Sequence, residues 1–94
     1  MTVAYLEVLD GPGDLRAVEG RLTIGRGRAA DLVLADDSVS RSHAAVWPEG
    51  STVVVEDLDS SNGTWVNGER MDGRQRLHDG DVVRIGQTEL RYER

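Results

Sequence analysis

Gly, Asn, Asp and Ser interrupt this chain so often that no window keeps apolar residues at a three-four spacing long enough for a helix of ordinary length. Short runs rich in β-branched and aromatic residues lie between the interruptions: "TVAYLEVL", "LRAVEGRLTIG" broken at Gly20, "DLVL", "HAAVWP", "STVVVEDL", "TWVNGERM", "DVVRIG" and "TELRYE". Roughly ten short strands, with turn signals about every 8 to 12 residues, predict an all-β chain of two packed antiparallel sheets, a β-sandwich. "GPGD" from Gly11 to Asp14 reads as a turn cluster. Asn67-Gly68 suits the positive φ angles of a tight hairpin, and Asp79-Gly80 is expected to punctuate in the same way. Trp47, Leu58, Val66, Val83, Ile85 and Leu90 are the expected core.

At 94 residues the chain reads as a single domain, residues 1–94, that closes one thin core and has no cleft between domains. A net charge of −6 argues against nucleic acid or an anionic bilayer as the bulk partner, so any anion site must be local. All 11 basic residues are Arg, a bias that either genome composition or a use for planar, bidentate donors produces. Without Cys there is no disulfide framework and no thiolate metal site, which suits a cytoplasm-like compartment. Residues 1 to 20 lack a basic start followed by a long apolar run, and no segment approaches the ~20 apolar residues that cross a bilayer. The chain as it stands reads as soluble, whether whole or part of something larger.

Several motif likenesses fail on context. "IGRGRAA" satisfies G-x-G-x-x-A, but "DLVLADD" follows it, too short and too β-like for a helix that faces phosphates. "DLDSSNGTW" alternates Asp57, Asp59 and Ser61 as a calcium loop does, yet its Gly falls one place late and Gly68 stands where a bidentate Glu is needed. A polar loop whose side chains bond their own backbone is the better reading. Asn62-Gly63-Thr64 is a glycosylation sequon in form only, because no secretory segment precedes it. Ser40 or Ser42 with His43 suggests a nucleophile and a base, but no nucleophile elbow or oxyanion loop accompanies them. His43 reads better as a half-buried imidazole bonded to a neighbouring loop. As a zinc ligand it lacks partners, since the only other His is His78.

An anion bracket remains. A phosphate monoester carries about −1.5 to −2 charges and three acceptor oxygens, and it calls for guanidinium forks with short hydroxyl or amide donors. Arg26 after a strand end, Ser40 and Arg41 in a second loop, and Ser61 and Asn62 in a third supply those types. Each Arg alone would read as a solvated surface charge; their joint placement on loops lifts them above it. Asp36 and Asp37 precede the bracket and carry two open readings: they disfavour acidic residues in a ligand, or they cap a turn.

Gly25-Arg26, then Ser40-Arg41-Ser42-His43, then "SSNGTWVNG" from Ser60 to Gly68 together resemble the forkhead-associated (FHA) domain family. The resemblance implies an eleven-strand antiparallel β-sandwich that recognises phosphothreonine peptides through loops at one end and performs no catalysis. By position it implies that Arg26 bonds the phosphate, Ser40 donates its hydroxyl, Arg41 adds charge, Ser61 closes the pocket and Asn62 holds the peptide main chain. Gly25, His43, Gly63 and Asn67 would be scaffold. The implied partner is a phosphothreonine-containing protein, a Ser/Thr kinase or its substrate, in bacterial cytoplasmic signalling, with no cofactor, metal, nucleic acid or membrane contact. The rival is a phosphate-independent interaction or self-association module on the same sandwich. Thr2 is the one threonine near the start that could serve an internal phospho-switch, and its strand-like setting gives that idea little support.

Overall fold

The structure is a computed structural model that describes residues 3–10 and 13–94. Thr2 and the first half of the expected Gly11 to Asp14 turn lie outside the described residues. Among those residues there is no helix, and eleven strands succeed one another: β1 Ala4–Val8, β2 Leu15–Val18, β3 Leu22–Gly25, β4 Leu32–Val33, β5 Ala44–Glu49, β6 Thr52–Asp57, β7 Thr64–Val66, β8 Glu69–Arg70, β9 Arg74–Leu77, β10 Val82–Ile85 and β11 Thr88–Glu93.

They form two sheets, ordered β2-β1-β11-β10-β7-β8 and β4-β3-β5-β6-β9. Neighbours run antiparallel except for β3 and β4, which pair in parallel with Ile24 opposite Leu32. Alternation sends one face of most strands inward, while both residues of the short β8 are exposed. Leu6 and Val8, Leu90 and Tyr92, Val83 and Ile85 come from the first sheet; Ile24, Val46, Val53, Val55 and Leu77 come from the second. Inward residues meet across the ladders, as in Val83 opposite both Val66 and Leu90, and Val53 opposite Leu77. Each such burial is worth about 1.5 to 3 kcal/mol.

Val66, Val83, Ile85 and Leu90 lie in the core as expected, but Trp47 and Leu58 do not. In β5 the inward positions are Ala44 and Val46, so alternation turns Trp47 to the outer face, directly across from Val54. There its ring is flanked by the guanidinium groups of Arg21 at 5.7 Å and Arg74 at 5.5 Å. Leu58 falls just past β6 and is half-buried, with its N–H donating to the His43 carbonyl at 2.9 Å.

Asn67 and Gly68 have φ of 50° and 83° and join β7 to β8 as a tight hairpin. Asp79-Gly80 behaves differently, because it links β9 in one sheet to β10 in the other. The Asp81 N–H donates to the His78 carbonyl at 2.9 Å with Gly80 at φ 90°, as in a type II turn.

Candidate functional site

Three loops, β3–β4, β4–β5 and β6–β7, meet at one end of the sandwich and carry the bracket residues. They meet closely because Gly25 ends β3 directly against the second loop. A Cβ there would come 2.7 Å from the Arg41 carbonyl carbon and 3.1 Å from the Ser40 carbonyl oxygen. That contact lets the Arg26 N–H donate to the Ser40 carbonyl at 3.0 Å and the Gly27 N–H to the Arg41 carbonyl at 3.2 Å.

Arg26 is exposed, but its Nε donates to the Val39 carbonyl at 3.0 Å. The bond aims the side chain and leaves both terminal nitrogens without a partner among the described residues, open to an anion. The Ser40 hydroxyl oxygen accepts the Ser61 N–H at 3.0 Å, so the Ser40 hydroxyl proton remains available as a donor. Asn62 Nδ2 donates to the Ser38 carbonyl at 2.8 Å, tying the third loop to the second while its Oδ1 stays unused among the described residues. Arg41 and Ser42 are exposed, and Arg41 forms no ion pair among the described residues.

His43 is completely buried and not half-buried as expected, because both ring nitrogens bond backbone groups of the two loops that close over it. Its Nδ1 accepts the Ser40 backbone N–H at 3.0 Å, and its Nε2 lies 2.8 Å from the Gly63 carbonyl, to which it must donate. One neutral imidazole therefore spans both loops. Neither ring nitrogen is left to take a proton from a serine hydroxyl, which removes the nucleophile-and-base reading. Gly63 has φ 84°, and its N–H donates to Ser60 Oγ at 3.0 Å. Asn67 lies away from this end, at the β7–β8 turn. Its Nδ2 donates to Asp81 and its Oδ1 accepts the Val82 N–H, both at 2.9 Å.

Two carboxylates brace the loops from behind. Asp57 accepts the Ser60 hydroxyl, the Ser60 N–H at 3.2 Å and the Thr64 hydroxyl at 2.7 Å. Burial pushes its carboxyl up, but those donors outweigh burial and hold it below the usual carboxylate range. Asp36 accepts the Ser38 hydroxyl and N–H on one oxygen, and the Gln87 N–H at 3.0 Å and Thr88 hydroxyl at 2.8 Å on the other. The Ser38 hydroxyl leads in pulling its pKa down to about 2. Asp36 is thus a loop brace, and the capping alternative holds for it; Asp37 is exposed.

The expected polar loop that bonds its own backbone is present at Asp57, which accepts the Ser60 N–H, while the bracing roles of the Ser60 hydroxyl and of Gly86 are additions from the structure. The Asp-x-x-Ser spacing of Asp57 and Ser60 is a legible local turn signal. Gly86 had none: a Cβ there would meet the Val39 side chain at 2.8 Å, a contact between distant parts of the chain. Among the described residues there is no group of three or more His, Cys, Asp or Glu able to hold a metal, and no helix is long and apolar enough to cross a membrane.

A family model described as "FHA domain" matches residues 22–86. The FHA domain-containing protein FhaA of Mycobacterium tuberculosis is 40% identical over 90 residues, covering 95% of this chain and 17% of that protein. The chain thus spans less than a fifth of that relative's length. A solved structure from a study of phosphothreonine-dependent FHA domain interactions superposes with a TM-score of 0.93 at 37% identity, covering 99% of this chain and 97% of the other. Mycobacterium tuberculosis EmbR, in complex with a low affinity phosphopeptide, superposes with a TM-score of 0.92 at 36% identity, covering 99% of this chain and 24% of EmbR.

Proposed function

Because the chain belongs to the forkhead-associated domain family, whose members are phosphothreonine-peptide recognition modules, we propose that its three-loop end holds the phosphate with Arg26, Ser40, Arg41 and Ser61. Asn62 engages the peptide main chain, Gly25, His43 and Gly63 hold the loops in register, and Asn67 supports them only indirectly, by shaping the β7–β8 turn.

The observation that carries this is the preset donor geometry. Arg26 is anchored through Nε with its fork free, and Ser40 accepts from Ser61 with its own proton free. A donor set already fixed before the ligand arrives loses little side-chain freedom on binding. The overall acidity does not oppose it, since charges beyond about 8 Å are screened at physiological salt. The ligand is a phosphothreonine-containing protein, itself a Ser/Thr kinase or a kinase substrate, met in the cytoplasm. The module works by docking and not by turnover, a reading supported by the engagement of both His43 ring nitrogens within the chain.

Fluorescence anisotropy against peptide pools with fixed phosphothreonine, phosphoserine or plain threonine tests the reading. Selective phosphothreonine binding is expected, and Arg26→Ala should weaken it by about 2 to 5 kcal/mol with the fold intact. Equal or absent binding to all three would put a phosphate-independent interaction module in its place.

A further inference from the structure

The end of the sandwich away from the three loops carries a hollow of about 330 Å³ that the phosphopeptide reading does not use. β5 leaves the Ser40 loop at Ala44 and, six residues or about 20 Å later, reaches the β5–β6 turn at Gly50 and Ser51. β1 starts at this end and β11 finishes there, since Tyr5 pairs with Glu93. Val3, Ala4, Val18, Pro48 and Val53 wall the hollow with apolar surface. Tyr92 completes the lining and is 1% exposed, yet its hydroxyl is buried with no hydrogen-bond partner among the described residues. Such orphans are exceptional in native structures and point to a bond that the chain itself does not supply. The Thr52 hydroxyl, also in the lining, is already engaged: it donates to the Glu49 carbonyl at 3.0 Å and accepts from Arg76 at 3.1 Å.

Burial pushes the Tyr92 phenol above its ordinary pKa, with Arg94 pulling it down and Asp79 pushing it up, so the hydroxyl keeps its proton at neutral pH and is a donor. Arg94 borders both that hydroxyl and the hollow, which turns the tip of Tyr92 toward the rim. There Glu19 and Arg94 are exposed and of opposite sign, so neither a carboxylate nor an ammonium group meets a one-sided field. The volume lies at the small end of the range for ligand pockets and suits a single aromatic ring with a short substituent. We infer that the hollow is a second binding site, which takes a neutral, largely apolar small molecule whose carbonyl oxygen accepts a hydrogen bond from the Tyr92 hydroxyl. It goes beyond the phosphopeptide reading and does not rest on it.

Amide chemical-shift titration of the whole chain tests this with four probes that share one ring: acetophenone, toluene, benzoate and benzylamine. Acetophenone should saturate, with its largest shifts at Ala4, Val18, Thr52, Val53 and Tyr92 and none at Arg26, Ser40 or Ser61. The other three probes should bind at least about fivefold more weakly, the effect of one hydrogen bond. Tyr92→Phe keeps the ring in the core and should weaken acetophenone to the level of toluene, while its Tm stays at or above that of the unmodified chain because no bond within the chain is lost. Ala4 packs inward on the same strand face as Leu6, so Ala4→Leu narrows the hollow and should block every probe. If Ala4→Leu loses its dispersed spectrum, the Tyr92→Phe comparison decides alone. Equal acetophenone affinity in Tyr92→Phe, tighter binding of benzoate or benzylamine, or shifts that fail to saturate or centre elsewhere each overturn the inference. A lower Tm of Tyr92→Phe does so as well, since it shows a hydroxyl already bonded in the protein.

Discussion

His43 connects a backbone N–H of one loop to a backbone carbonyl of another while fully buried. His43→Ala would leave both groups unpaired around a cavity. The expected cost is about 2 to 4 kcal/mol of stability, with binding weakened in parallel. Chemical denaturation and anisotropy on the same sample check this; a fully stable variant that fails to bind would instead assign His43 a direct role. Asp36 gives a pH signature. Its folded pKa of about 2 lies below the ordinary value near 3.9, so its contribution to stability is complete above about pH 4 and is lost as pH falls toward 2. Asp36→Asn should flatten the acid side of the urea-midpoint profile and leave the Asp57 contribution. The bracket residues were legible only jointly, because guanidinium, hydroxyl and amide donors recur on successive loops although each alone reads as an ordinary surface or turn residue. The braces were not, because Asp36 works through Gln87 and Thr88, and nothing local marks a bond of that sequence separation.

At the level of strands and turns, the decisive contact is the end of β3 against the loop that carries Ser40. Gly25→Ala forces the Arg41 carbonyl to move, and the resulting overpacking should cost about 1 to 3 kcal/mol of stability. Phosphopeptide affinity should fall at least about tenfold, because Arg26 and Ser40 share that contact through the Arg26 N–H. Parallel denaturation and binding curves read the two effects; wild-type affinity would show that the loop does not depend on this close approach. Nine of the strands announce themselves through alternation or β-branched runs, and β8, Glu69–Arg70, through the Asn67-Gly68 turn before it. β9 does not, since Arg74, Gln75 and Arg76 are exposed and only Leu77 enters the core. Its polarity suits its position at the edge of the second sheet, where charged side chains discourage pairing with another chain. The same blindness applies to Trp47: an aromatic in a strand reads as core until the phase of β5 is known.

Across the whole molecule, the span matched by the family model, residues 22–86, is not a complete sandwich. β11 lies between β1 and β10 in the first sheet and supplies Leu90 and Tyr92, which are 0% and 1% exposed. A chain ending before Thr88 should therefore fail to fold, with amide resonances collapsed into the unfolded range. Dispersed resonances from that truncation would show that the second sheet and its loops stand without β11. The pairing of β1 with β11 also joins distant parts of the chain, so folding is expected on the millisecond-to-second scale of non-local β topologies. A stopped-flow chevron measures it.

The residues themselves determined the class of fold and supplied the donor types on which the proposed site rests. Period-two alternation, interrupted by turn formers, excludes a helical chain, and Arg26, Ser40, Arg41, Ser61 and Asn62 together supply the donor types that a phosphate calls for. Those are properties of single side chains and short spacings. Only the tertiary structure decided which donors stay free and which carboxylates are engaged within the chain. Each of those outcomes depends on segments far apart in the chain meeting at one end of the sandwich. That meeting is set by sheet order and strand phase, which the summed packing of the whole core selects and no local stretch encodes.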